Sequence, residues 1–174
     1  MALHSCCAPC SAAIIEHLLG AGEKPLVYFY NPNIFPETEY LHRKSELVRY
    51  TNAVGVAFVD GDYENDIWLE QVRHLAGEPE RGARCLECFK IRMLATAKLA
   101  KQLNIPVFAT TLAASPRKSL EQIAQAGYWA AAQCEGVEFL EKNWRKGGLN
   151  ERRIEIVNQY NFYRQKYCGC RMKS

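Results

Sequence analysis

The chain has 174 residues, of which 48% are hydrophobic and 24% charged, and its formal net charge is +3. This length and composition are typical of one soluble globular domain and leave little room for two. No apolar run approaches the roughly 18 residues that span a bilayer, and the N-terminus lacks the basic segment of a secretory signal. We therefore expect a soluble, cytoplasmic protein that does not associate with membranes.

The positive charge is concentrated near the C-terminus. Residues 138–174 contain nine Lys/Arg and four Glu, a net of +5, whereas residues 1–137 carry a net of −2. A basic region on a near-neutral body suits an anionic partner such as RNA, although a solvated helix face explains the same charge. We expect a single domain over residues 1–174 with a basic C-terminal region from about residue 138.

Strand-like and helix-like segments alternate along the chain. The predicted strands are "ALHSC", "PLVYFYNPN", "GVAFVDGDY", "IPVFATTLA" and, near the end, "VEFL". The predicted helices cover about 12–19, 37–50, 66–75, 86–103, a segment beginning at Ser115, and 150–160. In the segment that begins at Ser115, this residue is the expected N-cap and Pro116 the first helical position. The alternation predicts parallel βαβ units and an open α/β sheet.

Loops that follow the predicted strands carry the polar and thiol side chains. The first strand is followed by three cysteines, the second by "NPN", the third by "DGDY" and the fourth by "TTLAASPRK". Ligands of open α/β sheets bind beyond the carboxyl ends of the strands. We expect these loops to converge on one crevice.

Seven of the eight cysteines fall into three groups. Clustered thiols in a cytosolic protein are usually metal-binding or catalytic, because the compartment keeps them reduced. The three groups are Cys6, Cys7 and Cys10 in "LHSCCAPCS", Cys85 and Cys88 in "CLEC", and Cys168 and Cys170 in "CGC".

The first two groups together supply enough thiolates for a metal centre. Cys85 and Cys88 have the C-x-x-C spacing that lets two thiolates reach one metal, and soft thiolates suit zinc or an iron–sulfur cluster. Adjacent thiols such as Cys6 and Cys7 fit one tetrahedral zinc poorly, whereas a cubane offers two irons. This favours a [4Fe–4S] cluster on these four residues, and zinc binding or thiol–disulfide chemistry remain as alternatives.

The remaining cysteines have different expected roles. Cys10 is surplus to a four-ligand cluster, so it replaces one ligand, holds a second metal ion, or is a reduced spectator. A disulfide between Cys168 and Cys170 would close a small, strained and easily reduced ring, which suits an electron store. An inert C-terminal tail is the alternative. Cys134, at the end of an Ala-rich helix, is expected to be a small buried hydrophobe.

The histidines give weaker signals. His17, His42 and His74 have polar helical neighbours and are expected on the surface. His4 lies beside the first thiols, where it either tunes the site or belongs to the core.

The motifs "LHSCCAPCS", "FYNPNIFPETEY", "RCLECFKIRM", "TTLAASPRKS" and "YRQKYCGC" together resemble the QueH-type epoxyqueuosine reductases. The matches run in order from Leu3 to Cys170, nearly the whole chain. The resemblance implies a Rossmann-like fold and the last step of queuosine formation in tRNA, in which the epoxide loses its oxygen and a cyclopentene remains. It also implies a cobalamin-independent enzyme, and the chain has no recognisable cobalamin-binding motif.

The resemblance further implies the cofactors and site residues. Cys6, Cys7, Cys85 and Cys88 match the ligands of a [4Fe–4S] cluster, beside which family members carry a single iron. Cys168 and Cys170 match a redox-active pair. Some relatives have Asp at the position of Cys10, which is compatible with a ligand to the adjacent iron. The expected partners are tRNA with epoxyqueuosine in its anticodon loop and an unidentified electron donor.

Several other side chains are candidates for tRNA binding. Arg117 and Lys118, at the expected helix start, suit a phosphate or a proton transfer to the departing oxygen. Asn31 and Asn33 suit hydrogen bonds to the modified base. The candidates for phosphate contacts in the basic region are Arg152, Arg153, Arg164 and Lys166. Two other classes remain open: a zinc-stabilised RNA-binding module, and a thiol–disulfide oxidoreductase acting on proteins.

Overall fold

The computed structural model describes residues 1–170 and contains a five-stranded sheet. All neighbouring strands are parallel, in the order β3-β2-β1-β4-β5. The strands are β1 (Ala2–His4), β2 (Leu26–Phe29), β3 (Phe58–Asp60), β4 (Val107–Thr110) and β5 (Glu138–Phe139). The predicted α/β class with an open parallel sheet is therefore confirmed, including its short last strand.

Helices connect the strands as the alternation predicts. They are α1 (Ala8–Gly20), α2 (Glu37–Val54), α3 (Asn65–Val72), α4 (Ala83–Gln102), α5 (Leu120–Ala132) and α6 (Leu149–Gln159). Short 3₁₀ turns cover Arg73–Leu75 and Thr111–Ala114. Among residues 1–170, no helix combines the length and apolar character that crossing a bilayer requires.

The order of the strands distributes the helices over two layers. Crossovers between parallel strands are right-handed, so α1 and α2 lie on one face while α4 and α5, which lead to the other side of β1, lie on the opposite face. Accordingly α1 packs against α2 and α6, and α4 packs against α5, β1 and β4. The residues of β1 are fully buried between these layers.

The start of α5 differs from the prediction. We expected Ser115 to cap this helix, but α5 begins at Leu120, and its N-cap is Ser119, whose hydroxyl accepts a hydrogen bond of 3.2 Å from the Gln122 amide. The physical reason lies in Arg145, whose guanidinium binds the carbonyls of Ser115 and Lys118. The Ser115 carbonyl also accepts a hydrogen bond of 3.2 Å from the Lys118 amide, so the segment closes as a turn that Arg145 holds in place.

The chain adds strands on one side of β1 up to β3 and then on the other side from β4 onward, so the strand order reverses between β1 and β4. Open α/β folds bind ligands at this position. The carboxyl ends of β1 and β4 are adjacent, because His4 pairs with Thr110 across the two strands. The loop after β1 therefore contacts the loop after β4, and the Ser11 hydroxyl donates to the Thr111 hydroxyl at 3.2 Å. The first three thiols lie at this switch point.

Candidate metal and redox site

The N-terminal thiols converge at the end of β1. Cys6 and Cys7 are buried, and α1 begins directly after Cys7, which places Cys10 in the first helical turn. The three sulfur atoms all lie within 4.8 Å of one another, and those of Cys6 and Cys7 are 3.8 Å apart. Three soft donors at this spacing can hold a metal ion.

The same geometry favours one thiolate among the three. Hydrogen bonds from Cys10 and then from Cys7 lower the pKa of the Cys6 thiol well below its ordinary value, against the opposing effect of burial. Hydrogen bonding to Cys6 and Cys7, together with burial, raises the pKa of Cys10. Because a thiolate is the form that binds metals and attacks electrophiles, Cys6 is the thiol most ready for either role.

The second thiol group lies at the start of α4. Cys85 and Cys88 occupy its first two turns, one turn apart, and Cys88 is buried against Trp68 and Val72. Burial raises the pKa of Cys88, and the nearby charge of Cys168 acts in the same direction. The C-x-x-C pair therefore lies close to the C-terminal thiols.

The C-terminal segment that carries Cys168 and Cys170 is firmly packed. Its Gly169 carbonyl accepts a hydrogen bond of 2.9 Å from the Phe35 amide, and the Tyr167 hydroxyl donates to the Phe35 carbonyl at 2.7 Å. Arg43 donates to the Cys168 carbonyl at 3.0 Å. These contacts do not fit a frayed segment at Cys168 and Gly169. The structure describes Cys168 and Cys170 as thiols rather than as a disulfide.

One side chain joins the C-terminal segment to the first thiol group. The Gln165 amide donates a hydrogen bond of 2.8 Å to the sulfur of Cys7. The three cysteine groups of the sequence thus meet in one region. However, the sulfur atoms within 4.8 Å of one another belong to Cys6, Cys7 and Cys10, not to the expected set that includes Cys85 and Cys88.

A cavity of about 360 Å³ opens beside these thiols at the switch point. Cys6, Cys10 and Cys168 line it. Most of the residues that the sequence suggested for substrate binding also line it: Asn31, Asn33, Arg117, Lys118, Arg153 and Arg164. The predicted convergence of the loops on one crevice is therefore confirmed for the loops after β1, β2 and β4, whereas no residue of the predicted "DGDY" loop after β3 lines the cavity.

The polar groups of the cavity are of two kinds. Asn31 and Asn33 are buried, and the side-chain oxygen of each lacks a hydrogen-bond partner, so both are acceptors available to a ligand. Lys118 is a cation facing the thiols: burial lowers its pKa, but the charges of Cys168, Cys6 and Cys10 outweigh this effect and raise it. The cavity therefore combines unsatisfied acceptors with positive charge.

Two assignments of predicted cations need correction. Arg117 and Lys118 lie in the turn that directly precedes Ser119, the N-cap of α5, rather than in the first turn of that helix. Arg152 is not among the cavity-lining residues. Its guanidinium binds the carboxylates of Glu16 at 2.6 Å and Glu155 at 2.7 Å, which neutralise its charge.

The histidines and the lone cysteine are not part of the site. Both ring nitrogens of His4 are engaged, with the Thr110 hydroxyl at 2.9 Å and the Tyr30 carbonyl at 3.1 Å. His4 therefore belongs to the core, and burial lowers its pKa to about 3. The surface positions predicted for the other histidines are confirmed for His17, His42 and His74. Cys134 is buried, as predicted.

The sequence analysis did not single out Arg43, Arg92 or Gln165, which contact the thiol region. Arg92 lies four residues after Cys88 and seven after Cys85, and these spacings place all three on one side of a helix. Arg92 is buried, lines the cavity, and donates to the Cys88 carbonyl at 3.1 Å. The helical spacing within "RCLECFKIRM" was the available signal. Arg43 and Gln165 had none, because their contacts are far apart in the sequence.

Comparisons with known proteins all lead to one family. The family model described as epoxyqueuosine reductase QueH matches residues 1–173. The epoxyqueuosine reductase QueH of Histophilus somni is 44% identical over 168 residues, which cover 97% of this chain and 69% of that protein. That of Acinetobacter baylyi is 42% identical over 97% of this chain and 77% of its own length.

A more distant relative, the epoxyqueuosine reductase QueH of Thermotoga maritima, is 34% identical over 171 residues. These residues cover 97% of this chain and 86% of that protein. A family model that matches nearly the whole chain, together with relatives at this identity, establishes the relationship. The chain belongs to the QueH family.

Proposed function

We propose that this chain is an epoxyqueuosine reductase, which removes the epoxide oxygen of epoxyqueuosine in tRNA and leaves the cyclopentene of queuosine. The observation that carries this proposal is that Cys6, Cys10 and Cys168 line one cavity together with several cations, while Cys170 packs against the group that contains Cys88. Membership of the QueH family supports the same activity. Residues from the loop after β1 to the C-terminal segment contribute to the site, so we propose that the chain is one functional domain.

The reaction defines what the site must provide. Converting an epoxide into an alkene takes two electrons and two protons and releases one water. The substrate is a nucleotide of the anticodon loop, so the protein must bind RNA phosphates and orient one modified base. A site for this reaction needs electron donors, proton donors and cations around a single cavity, and thiols and cations are both present here.

The donor set fits a metal group. The sulfur atoms of Cys6, Cys7 and Cys10 lie within 4.8 Å of one another. The nearby buried cation Arg92 has an Nη2 atom without a hydrogen-bond partner, which suits an anionic group. We assign Cys6, Cys7, Cys85 and Cys88 as ligands of a [4Fe–4S] cluster and leave Cys10 to an adjacent iron. When bound, such a group supplies electrons singly, and a metal with an open position acts as a Lewis acid.

The pair Cys168 and Cys170 is proposed as the electron store. Oxidation of the two thiols to a disulfide releases two electrons and two protons, which is the demand of one turnover. A cytoplasmic reductant then returns the disulfide to two thiols. Cys168 lines the cavity, whereas Cys170 packs against the buried group of Trp68 and Cys88. One thiol of the pair therefore lies at the cavity, and the other lies beside the C-x-x-C pair.

Substrate binding is assigned to the other cavity residues. The cations Arg117, Lys118, Arg153 and Arg164 suit the phosphates of the anticodon loop. The free acceptors of Asn31 and Asn33 suit donors on the modified nucleoside. Such a nucleotide must leave its stack to enter a cavity of this size, as in other enzymes that act on bases.

Anaerobic purification with metal analysis tests the proposal. We expect a brown protein with about four or five irons and about four sulfides per chain, which converts epoxyqueuosine tRNA when supplied with dithionite. Cys88→Ser should lose most of the iron, whereas the control Cys134→Ser should keep it. A colourless protein with stoichiometric zinc would instead identify an RNA-binding module, and a metal-free one a thiol–disulfide oxidoreductase.

A second experiment addresses the electron store. The double variant Cys168→Ser/Cys170→Ser should retain iron and complete the turnover for which electrons are already present, but lose repeated turnover. The relay would be excluded by a full multiple-turnover rate with an intact cluster.

A further inference from the structure

Arg92 is a buried cation for which the described residues provide no carboxylate. Its side chain is 1% exposed, and its Nη2 atom has no hydrogen-bond partner. The ion pairs found within residues 1–170 do not include Arg92. A buried charge is costly unless a charge of opposite sign compensates it. Something other than Asp or Glu must therefore balance Arg92.

Cysteines of all three groups lie around Arg92. Arg92 lines the same cavity as Cys6 and Cys168, and it follows Cys88 by one turn of α4. The Nε atom donates to the Cys88 carbonyl at 3.1 Å, which fixes the guanidinium between α4 and the cavity.

We propose that Arg92 is the internal counter-ion of the thiol centre and sets the reduction potential of the metal group bound there. This inference rests on the proposed function, because it requires metal-bound thiolates. Reduction adds one electron, and so one negative charge, to the group. A fixed positive charge in a buried site stabilises the reduced form more than the oxidised form, so Arg92 raises the potential.

The rival role for Arg92 is to bind an anionic part of the substrate, since a guanidinium also fits phosphate. The position of the side chain favours the counter-ion. Arg92 is buried and already bound to the backbone of Cys88, whereas Arg117 and Arg164 are exposed at the cavity and better placed for phosphates. Only the counter-ion role predicts that Arg92 affects the reduction potential of the substrate-free protein.

The test compares three variants of the iron-loaded full chain. Arg92→Gln removes the charge but keeps an N–H donor for the Cys88 carbonyl, and Arg92→Lys keeps the charge. Lys98→Met is the matched control, because it removes one positive charge from an exposed position further along the same helix. The midpoint potential is measured without substrate, by titration with dithionite and redox mediators followed by electron paramagnetic resonance, and iron content is measured in parallel.

We expect Arg92→Gln to lower the equilibrium constant for one-electron reduction at least tenfold, a shift of about 59 mV to more negative potential. Arg92→Lys should recover most of this shift, and Lys98→Met should match the unmodified chain. If Arg92→Gln fails to retain iron while Arg92→Lys retains it, iron binding depends on the positive charge at this position, which supports the proposal.

Two results would overturn the assignment. One is an unchanged potential in iron-loaded Arg92→Gln with weaker tRNA binding, which would make Arg92 a substrate ligand. The other is equal loss of iron and of thermal stability in Arg92→Gln and Arg92→Lys, which would make its role structural. An unmodified chain that binds no iron would refute the proposed function itself, and metal analysis reports that result separately.

Discussion

The guanidinium of Arg43 on α2 donates a hydrogen bond of 3.0 Å to the backbone carbonyl of Cys168, 125 residues further along the chain. A second bond of 3.2 Å reaches the Tyr167 carbonyl. Glu39 pairs with the same guanidinium at 2.7 Å, and the Tyr167 ring lies 5.2 Å from it. One buried cation thereby fixes the backbone that carries the cavity-lining thiol.

Removing this cation should loosen the C-terminal segment. Arg43→Met removes the ionic partner of Glu39, which keeps only the hydrogen bond from the Tyr163 hydroxyl, and it removes the donor to two carbonyls. We expect the free energy of unfolding to fall by about 3 kcal/mol. Hydrogen exchange of the amides of residues 163–170 should accelerate, and repeated turnover should decline. Both are measured on the anaerobically prepared protein.

Lys44→Met provides the matched control for Arg43. Lys44 is the next residue on α2, and its ion pair with Asp60 lies at the surface. Exposed pairs contribute about 1 kcal/mol or less, so exchange in residues 163–170 should stay unchanged. Equal acceleration in both variants would contradict the role given to Arg43.

Gly169 between the two C-terminal thiols has no room for a side chain. Its φ is +127°, and a Cβ atom would lie 2.9 Å from Cγ1 of Ile34 and 3.1 Å from Nδ2 of Asn33. We expect Gly169→Ala to cost about 1–3 kcal/mol in unfolding free energy and to displace Cys168, with loss of repeated turnover but little loss of iron.

The control for this substitution is Gly20→Ala. Gly20 ends α1 with an ordinary φ, and nothing lies within 4 Å of a Cβ atom there. Alanine is the better helix former, so this variant should be as stable as the unmodified chain or slightly more stable. Denaturation curves and turnover of the two variants are compared directly. Unimpaired turnover of Gly169→Ala would mean that the position of Cys168 tolerates movement.

The sheet and its crevice could be predicted because they depend on local patterns. Each strand is a short apolar run and each connection is helical, so the alternation alone implies a parallel sheet. The start of α5 could not be predicted in this way. Ser115 followed by Pro116 is a good local signal for a helix start, but the carbonyl of Ser115 is bound by Arg145, and no local pattern reveals a contact across thirty residues.

The same distinction between local patterns and tertiary contacts applies to the candidate site. The thiols could be identified because cysteine is chemically distinctive, and the structure groups the sulfur atoms of Cys6, Cys7 and Cys10. The buried cations were harder to identify. The spacing of Arg92 from Cys88 was a local signal, whereas Arg43 resembles an ordinary surface arginine, and only tertiary packing places it against the Cys168 carbonyl.

Arg152 and Arg153 are adjacent on α6, yet only one is free to bind RNA. Arg152 is paired with Glu16 and Glu155, whereas Arg153 lines the cavity and its Nε atom has no partner. We expect Arg153→Gln to weaken tRNA binding and to reduce the slope of log affinity against log salt by about 0.7, the value for one contact with single-stranded RNA.

Arg152→Gln is the comparison for this measurement. Because two carboxylates already neutralise Arg152, its loss should leave affinity and salt slope nearly unchanged at physiological ionic strength, where surface charges are screened beyond about 8 Å. Affinities are measured by filter binding over a range of salt concentrations. A larger effect from Arg152→Gln than from Arg153→Gln would reverse the assignment.

Asn33 should read the modified part of the substrate rather than the RNA backbone. Its side-chain oxygen is buried without a partner and lines the cavity, and its amide nitrogen lies beside Gly169, next to the C-terminal thiols. This places Asn33 at the reacting end of the cavity. An acceptor there suits the hydroxyl or amine donors of the cyclopentane side chain, which guanosine lacks.

Asn33→Ala should therefore reduce the preference for epoxyqueuosine tRNA over the same tRNA carrying guanosine. Loss of one buried hydrogen bond corresponds to about 1–3 kcal/mol, so the ratio of the two affinities should fall by about fivefold to 150-fold. Arg153→Gln is the contrasting variant, because a phosphate contact is common to both RNAs and its loss should weaken both equally. If Asn33→Ala also weakened both RNAs equally, Asn33 would contact the backbone and not the modification.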